Sequence, residues 1–483
     1  MYFRQVAKNY FGNAFNPTSI IKYSTQNALP YNAIPGPKRI PFIGMLNDIM
    51  LLGKPAELHL RMSQYHDLYG DIFRLKIGSQ NTIFVRDPSL MRKTFQHEGQ
   101  FPRHPLPESW IHFNKKFDYQ RGLFFMDGKE WLQSRQFFNK PLLKDFSWMK
   151  MPIRNVCAAK VMEIKTSCDD NSVAKNIEPF LYKWSVEVVL SVMLGTSFQQ
   201  CQKSKVFRDL VDEFSKEVYK IFRCSAELMN IPPGIAERMN LRSWKEFEEI
   251  IPKTVKLATS IIEFGTQHTN QDDGLLHMMA RMDQSLMMRI FVDFVIAAGD
   301  TTAFATVWAL YLLASNQRVQ NTVRKNIDDA ACLESSAIKG VVREALRLYP
   351  VAPFVGRFID SDALFCGYKI PKETLILLSL YSAGRDSRFF CASNEFDPFR
   401  WQRTNSENRI ISATPSASLP FAMGARSCIG KKIAQLQMYY LISMILMRYQ
   451  VDLPKQHPEV KPVLKLVTVP NVPVNLIFKP LSL

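Results

Sequence analysis

The chain has 483 residues, 47% hydrophobic, 12% aromatic and 22% charged, and its 61 Lys+Arg against 44 Asp+Glu leave a net charge of +17. That much apolar side chain offsets the entropy of ordering and excludes intrinsic disorder. The 20 Gly without a period exclude a collagen-like fibre, and 8 Cys over this length exclude a small disulfide scaffold. The positive excess points to an anionic membrane, an acidic protein partner or a basic leader. Nucleic acid is disfavoured, because the chain has no long Lys/Arg run, zinc-finger spacing or aromatic RNA-binding motif.

Residues 1–47 contain no acid but carry Arg4, Lys8, Lys22, Lys38 and Arg39. Phe3, Val6, Ala7, Tyr10, Phe11 and Ala14 recur at helical spacing and form one apolar face. A basic, acid-free amphipathic start reads as a mitochondrial transit peptide, assigned to residues 1–29. It lacks an apolar run of about 20 residues, so no spanning anchor is expected there. The proline-rich stretch 30–41 cannot continue a helix and reads as a hinge before a single domain, 42–483.

Helical patterns dominate the domain. Strands are expected at Ile72–Ile77, Thr82–Val85, Thr374–Leu378 and Val474–Phe478. Helices are expected from Phe180 to Leu194, Phe207 to Leu228 and Trp244 to Phe264, with a loop at Met229–Ile235. From about Ser285 to Ser315 the apolar residues cover nearly all sides, which marks a core helix of roughly 45 Å. Asp300 and Thr301 interrupt it, and an acid in such a helix is costly unless it has a use. The structural alternative is Thr301 bonded back to the helix and Asp300 satisfied in the core.

Phe421-Ala-Met-Gly424-Ala-Arg426-Ser-Cys428-Ile-Gly430 precedes a helical pattern running from Lys431 to Leu446. Cys428 therefore sits at a helix N-terminus, where backbone N–H groups favour a thiolate. A thiolate can hold haem iron and favour O–O cleavage. Gly424 and Gly430 let the backbone approach a flat macrocycle and donate N–H bonds to sulfur. Arg426 can pair with a haem propionate, and Phe421 can shield the sulfur from water. The other seven cysteines show no metal-type spacing and read as ordinary thiols.

Phe-x-x-Gly-x-Arg-x-Cys-x-Gly at Phe421–Gly430 resembles the haem-binding loop of the cytochrome P-450 family, and three further motifs follow the family's order over residues 30–480. The resemblance implies a mainly α fold: one large helical domain with small β-sheets, a long central helix and haem b ligated by Cys428. Glu344-Ala-Leu-Arg347 with Arg400 resembles the family's structural Glu-Arg-Arg network. Trp131-Leu-Gln-Ser-Arg135 resembles its Trp-x-x-x-Arg propionate motif, and Arg357 falls where another propionate partner is found. Asp300 and Thr301 resemble the acid–alcohol pair that handles protons and dioxygen. One departure is that the family's Gly two before the acid is Ala298 here, with Gly at 299.

The leader, Lys339 and Arg343 before Glu344, and Lys431 and Lys432 after the haem loop resemble the mitochondrial branch. That implies docking of an acidic adrenodoxin-like ferredoxin, which receives electrons from NADPH through a reductase. It also implies a peripheral, monomeric protein on the matrix face of the inner membrane. The stretches 95–107, 120–126, 291–300 and 467–470 resemble the insect ecdysteroid 2-hydroxylases, implying a 2-deoxyecdysteroid substrate. Physical reasoning alone supports an apolar substrate of sterol size, with walls that include Ala297, Ala298, Phe354 and Val355. A haem-thiolate isomerase needing no external electrons is the rival enzyme class.

Overall fold

The computed structural model describes residues 28–38, 51–77, 80–229, 231–267, 274–327, 335–402 and 414–481. The expected transit peptide lies outside them, except for its last two residues. The described part of the proline segment, residues 30–38, is docked against the sheets. Ile34 is buried, its carbonyl accepts from Arg74 Nε at 3.0 Å, and Leu29 N–H donates to Gly367 O at 2.8 Å. A Cβ on Gly36 would sit 2.1 Å from the Arg74 carbonyl oxygen, so only glycine lets this segment lie so close to the sheet.

Sixteen α-helices make up most of the described chain. Those that position the site are α1 (Glu108–Phe117), α2 (Gly128–Asn139), α3 (Lys150–Ser167), α4 (Glu178–Leu194), α5 (Lys205–Leu228), α6 (Arg242–Gln267), α7 (Gln284–Ser315), α8 (Ser336–Leu348) and α9 (Lys431–Arg448). The expected helical segments within the domain fold as helices, and the 229–235 loop ends in a short turn of helix at Pro233–Arg238. Pro preset at a first helical position explains that start.

The central helix α7 has 32 residues, about 48 Å at 1.5 Å per residue. The Asp283 side chain caps it by accepting from Leu286 N–H, and Ser335 caps α8 by accepting from Ile338 N–H. Among the described residues α7 is the one helix long and apolar enough to cross a membrane, but its apolar stretch is mostly buried inside the protein. The main core packs α7 against α4, α5, α8 and α9, with α3 lying on α4 and α9.

A four-stranded sheet stands beside the helices. Its strands are β1 (Ile72–Ile77), β2 (Gln80–Val85), β3 (Phe354–Phe358) and β4 (Leu375–Ser379), in the order β1-β2-β4-β3. β2 runs parallel to β4, whereas β3 is antiparallel to it with Arg357 opposite Ile376. Alternation along β3 separates two residues expected to share a pocket wall. Phe354 packs on Phe84 in one cluster, and Val355, opposite Leu378, joins a different cluster on the other face. A strand cannot point neighbouring side chains at the same space, so these two do not form one wall.

Candidate active site

The loop before α9 folds back on itself. Cys428 N–H donates to Phe421 O at 2.9 Å and Ser427 N–H to Gly424 O at 3.2 Å. Gly430 caps α9, and its N–H bonds the Cys428 sulfur. Surrounding protein raises the thiol pKa by desolvation, while the Gly430 N–H, Arg135 and Lys431 pull it back down. Cys428 nevertheless keeps an open face, as do Met423, Gly424 and Ala425. A sulfur enclosed on one side and open on the other suits a ligand to a metal brought by a cofactor.

Gly424 has φ +78°, and a Cβ there would lie 2.1 Å from Glu98 Oε1. Close approach of a macrocycle is one reason for glycine here, and the structure gives it a second. Glu98 is buried and its two oxygens divide their work. Oε1 accepts from Ala425 N–H at 2.9 Å and Oε2 from Arg357 Nε at 2.7 Å. Glu98 was missed from the sequence, because it carries no motif and gains its role only from two distant partners.

Three guanidiniums gather beside the cysteine. Arg135, on α2, donates to Ser427 O at 2.7 Å and to Ser427 Oγ at 3.3 Å. Arg426 donates to Asp127 Oδ1 at 2.6 Å and lies 4.5 Å over the buried Trp131 ring. Burial, with Arg357 and Arg135 nearby, brings Arg426 down to about 10 despite Asp127 and Glu98. Burial also lowers Arg135. His104 is pushed down to about 3, first by burial and then by Arg426 and Arg357, so it is neutral. Three cations therefore face two carboxylates, Glu98 and Asp127. Buried polar atoms without partners remain at Arg135 Nε, Arg426 Nε and His104 Nε2. A group bearing two carboxylates and an open metal position matches this surplus, so the residues fit haem.

Lys431 sits 5.8 Å over the Phe421 ring and Lys432 lies 4.6 Å over Phe146. Both are half-buried by these contacts, as is Lys339, while Arg343 is exposed and lies 4.1 Å over Trp401.

Behind the loop, Glu344 is fully buried and receives two bonds from Arg347, at 2.9 and 2.7 Å, and one from Arg400 at 2.9 Å. Trp401 Nε1 and the Asp397 N–H complete its shell at 2.9 and 3.1 Å. Sequence spacing named the three charged members; Trp401 is an addition.

On α7, Ala297 and Thr301 lie one turn apart and are exposed within an otherwise buried stretch. Thr301 Oγ1 donates to Ala297 O at 2.8 Å, the back-bonded arrangement. Asp300 is buried, and desolvation raises its carboxyl well above the usual range, while Tyr182 draws it down. Ala298 is half-buried, and its carbonyl accepts from Ser185 Oγ at 2.8 Å. Upstream, Arg121 pairs with Asp293 of α7 and is held between Trp110 at 4.0 Å and Phe125 at 4.5 Å. That pair ties the segment after α1 to the central helix.

A family model described as Cytochrome P450 matches residues 34–478. The chain is 37% identical over 475 residues to "Cytochrome P450 315a1, mitochondrial" of Drosophila melanogaster, covering 94% of this chain and 89% of that protein. It is 26% identical to the "1,25-dihydroxyvitamin D(3) 24-hydroxylase, mitochondrial" of Rattus norvegicus, covering 93% of this chain and 89% of the relative. It is 25% identical to the "Cholesterol side-chain cleavage enzyme, mitochondrial" of Ovis aries, covering 95% and 91%. With a cysteine open to a cofactor, a cationic cradle beside it and a match over nearly the whole length, the chain belongs to the cytochrome P450 family and is a mitochondrial haem-thiolate monooxygenase.

Proposed function

We propose that this monooxygenase hydroxylates carbon 2 of a 2-deoxyecdysteroid. The observation that carries the steroid reading is the 37% identity to a mitochondrial Drosophila P450, joined by the four stretches that resemble insect ecdysteroid 2-hydroxylases. Relatives named for vitamin D and cholesterol chemistry support a steroid-type substrate more broadly.

Cys428 holds the iron, with the Gly430 N–H steadying the sulfur. Arg135, Arg357 and Arg426 receive the propionates, and Trp131 backs Arg426. Haem bound through a thiolate supplies dioxygen activation and oxidation of an unactivated C–H bond. Burial raises the Asp300 carboxyl well above the usual range, which favours its protonated form, and Thr301 lies on the open face of α7, so proton delivery falls to this pair. Ala297 and Ala298 leave room for an apolar ring system beside them. Lys339, Arg343, Lys431 and Lys432 present positive charge to an acidic ferredoxin, which brings electrons from NADPH through its reductase. The protein acts as a peripheral monomer on the matrix face of the inner membrane.

Reconstitution with ferredoxin, reductase and NADPH on a 2-deoxyecdysteroid tests the assignment. The expected product carries one added oxygen at carbon 2, located by mass spectrometry and NMR. Oxygen at another carbon overturns the regiochemistry, and turnover without NADPH or ferredoxin overturns the electron route in favour of an isomerase.

A further inference from the structure

Gly299 stands where a side chain would have no room. A Cβ there would lie 2.7 Å from Tyr182 Oη and 2.8 Å from Tyr182 Cζ, closer than real contacts allow. The obstructing group belongs to α4, and it is rigid. Tyr182 is buried, its ring stands edge-on to Tyr219 at 5.1 Å, and Ser185, three residues along the same helix, bonds the Ala298 carbonyl. One hydrogen bond and one close approach thus hold Ala298 and Gly299 against α4 just before Asp300. The Tyr182 hydroxyl and Asp300 Oδ1 are both buried without a complete hydrogen bond to any described group. Burial raises both groups, and they also act on each other: Asp300 raises Tyr182 further, and the Tyr182 hydroxyl draws Asp300 back down. A hydroxyl that loosely faces a carboxyl, at a site kept clear by a glycine, is poised to close on it.

We propose that Tyr182 is the positioning residue of Asp300: its hydroxyl donates to the carboxyl and fixes its orientation, and Gly299 is there to admit that hydroxyl. The proposal rests on the reading of Asp300 as the group that delivers protons. It also accounts for the displaced glycine of α7, since the small residue is needed one position later than usual to clear Tyr182.

The test uses the haem-loaded ferric protein without turnover. Infrared difference spectra identify the protonated Asp300 carboxyl as the C=O band lost in Asp300→Asn. Tyr182→Phe removes the donor, so that band is expected to shift to higher frequency, with haem content and the Soret maximum unchanged. In the reconstituted system the same variant is expected to release several-fold more hydrogen peroxide per NADPH. Gly299→Ala forces the ring away and is expected to shift the band in the same direction, which covers failure of Tyr182→Phe to fold. An unshifted band in both variants overturns the role of Tyr182. A fully coupled Asp300→Asn enzyme overturns the proton-delivery reading instead, and the band shift then still decides whether Tyr182 holds the carboxyl.

Discussion

Glu98 and Arg357 are 259 residues apart in sequence and meet at 2.7 Å with both side chains about 5% exposed. Removing one partner of a buried ion pair leaves the other uncompensated and costs about 3–5 kcal/mol. Glu98→Gln is therefore expected to destabilise the protein by that amount and to loosen the turn at Gly424. Urea titration followed through the Soret band measures it. Full haem retention at an unchanged urea midpoint would show that the pair does not hold the loop.

Glu344 joins α8 to the segment around Arg400, and its loss strands two buried guanidiniums. Glu344→Gln keeps the shape but removes the charge, so folded, haem-loaded protein is expected to fall sharply, again by about 3–5 kcal/mol. Trp401→Phe loses one hydrogen bond to a charged group and is expected to cost about 1.5–3 kcal/mol. Thermal melts of the two variants side by side should keep that order; the reverse order would place the weight on the indole.

His59 and His66 set the acid limb of stability. Burial is the leading cause that lowers each of them from 6.5 to about 4. Beneath pH 6.5 the unfolded chain takes up protons that the folded protein refuses. Stability is therefore full above that pH and is lost as pH falls toward 4, by about 3 kcal/mol per histidine. His66 is held neutral by burial and by Arg86 nearby, against the pull of the Gly70 carbonyl at Nδ1, and its Nε2 meets Ser379 Oγ at 2.8 Å. His59 has no hydrogen-bond partner on either ring nitrogen and packs edge-on to Tyr381 at 4.6 Å. His59→Phe keeps that packing and is expected to flatten the loss between pH 6.5 and 4. Urea midpoints across that range measure the slope, and a wild-type slope in the variant would remove His59 from the account.

The basic residues proposed for docking are not equivalent. Arg343 lies over Trp401, which bonds Glu344, so charge reversal there reaches the buried network as well as the surface. Lys432 rests instead on the Phe146 ring, at 4.6 Å. Lys432→Glu is expected to raise the ferredoxin KM severalfold, consistent with about 1 kcal/mol for a surface pair, while leaving the melting temperature in place. The increase should shrink at high salt. An unchanged KM at low salt would move the docking face elsewhere.

The cysteine loop was legible because its chemistry is contiguous: ligand, glycines, arginine and helix start lie within ten positions, Phe421 to Gly430. The Glu344–Arg347 pair was legible for a similar reason, since three residues on a helix share a face. Glu98, Tyr182 and Trp401 were not, because each acquires its role from a residue brought in by tertiary folding. Phe354 and Val355 are neighbours in the sequence, and the pleat of β3 turns them to opposite faces. The displaced glycine was visible at Gly299, but its cause lay on α4, more than a hundred residues upstream.

The Glu98 junction also has a timetable. Synthesis delivers its carboxylate early, while Arg357 arrives much later and Ala425, 327 residues on, later still. Contacts so far apart in sequence form slowly, because loop closure is paid before they reward it. The haem loop therefore sets only when nearly the whole chain is present, and a product cut short before it leaves an acid with nothing to bind. Such a fragment keeps that acid hydrated and its neighbours open, which hands it to quality control rather than to the cofactor.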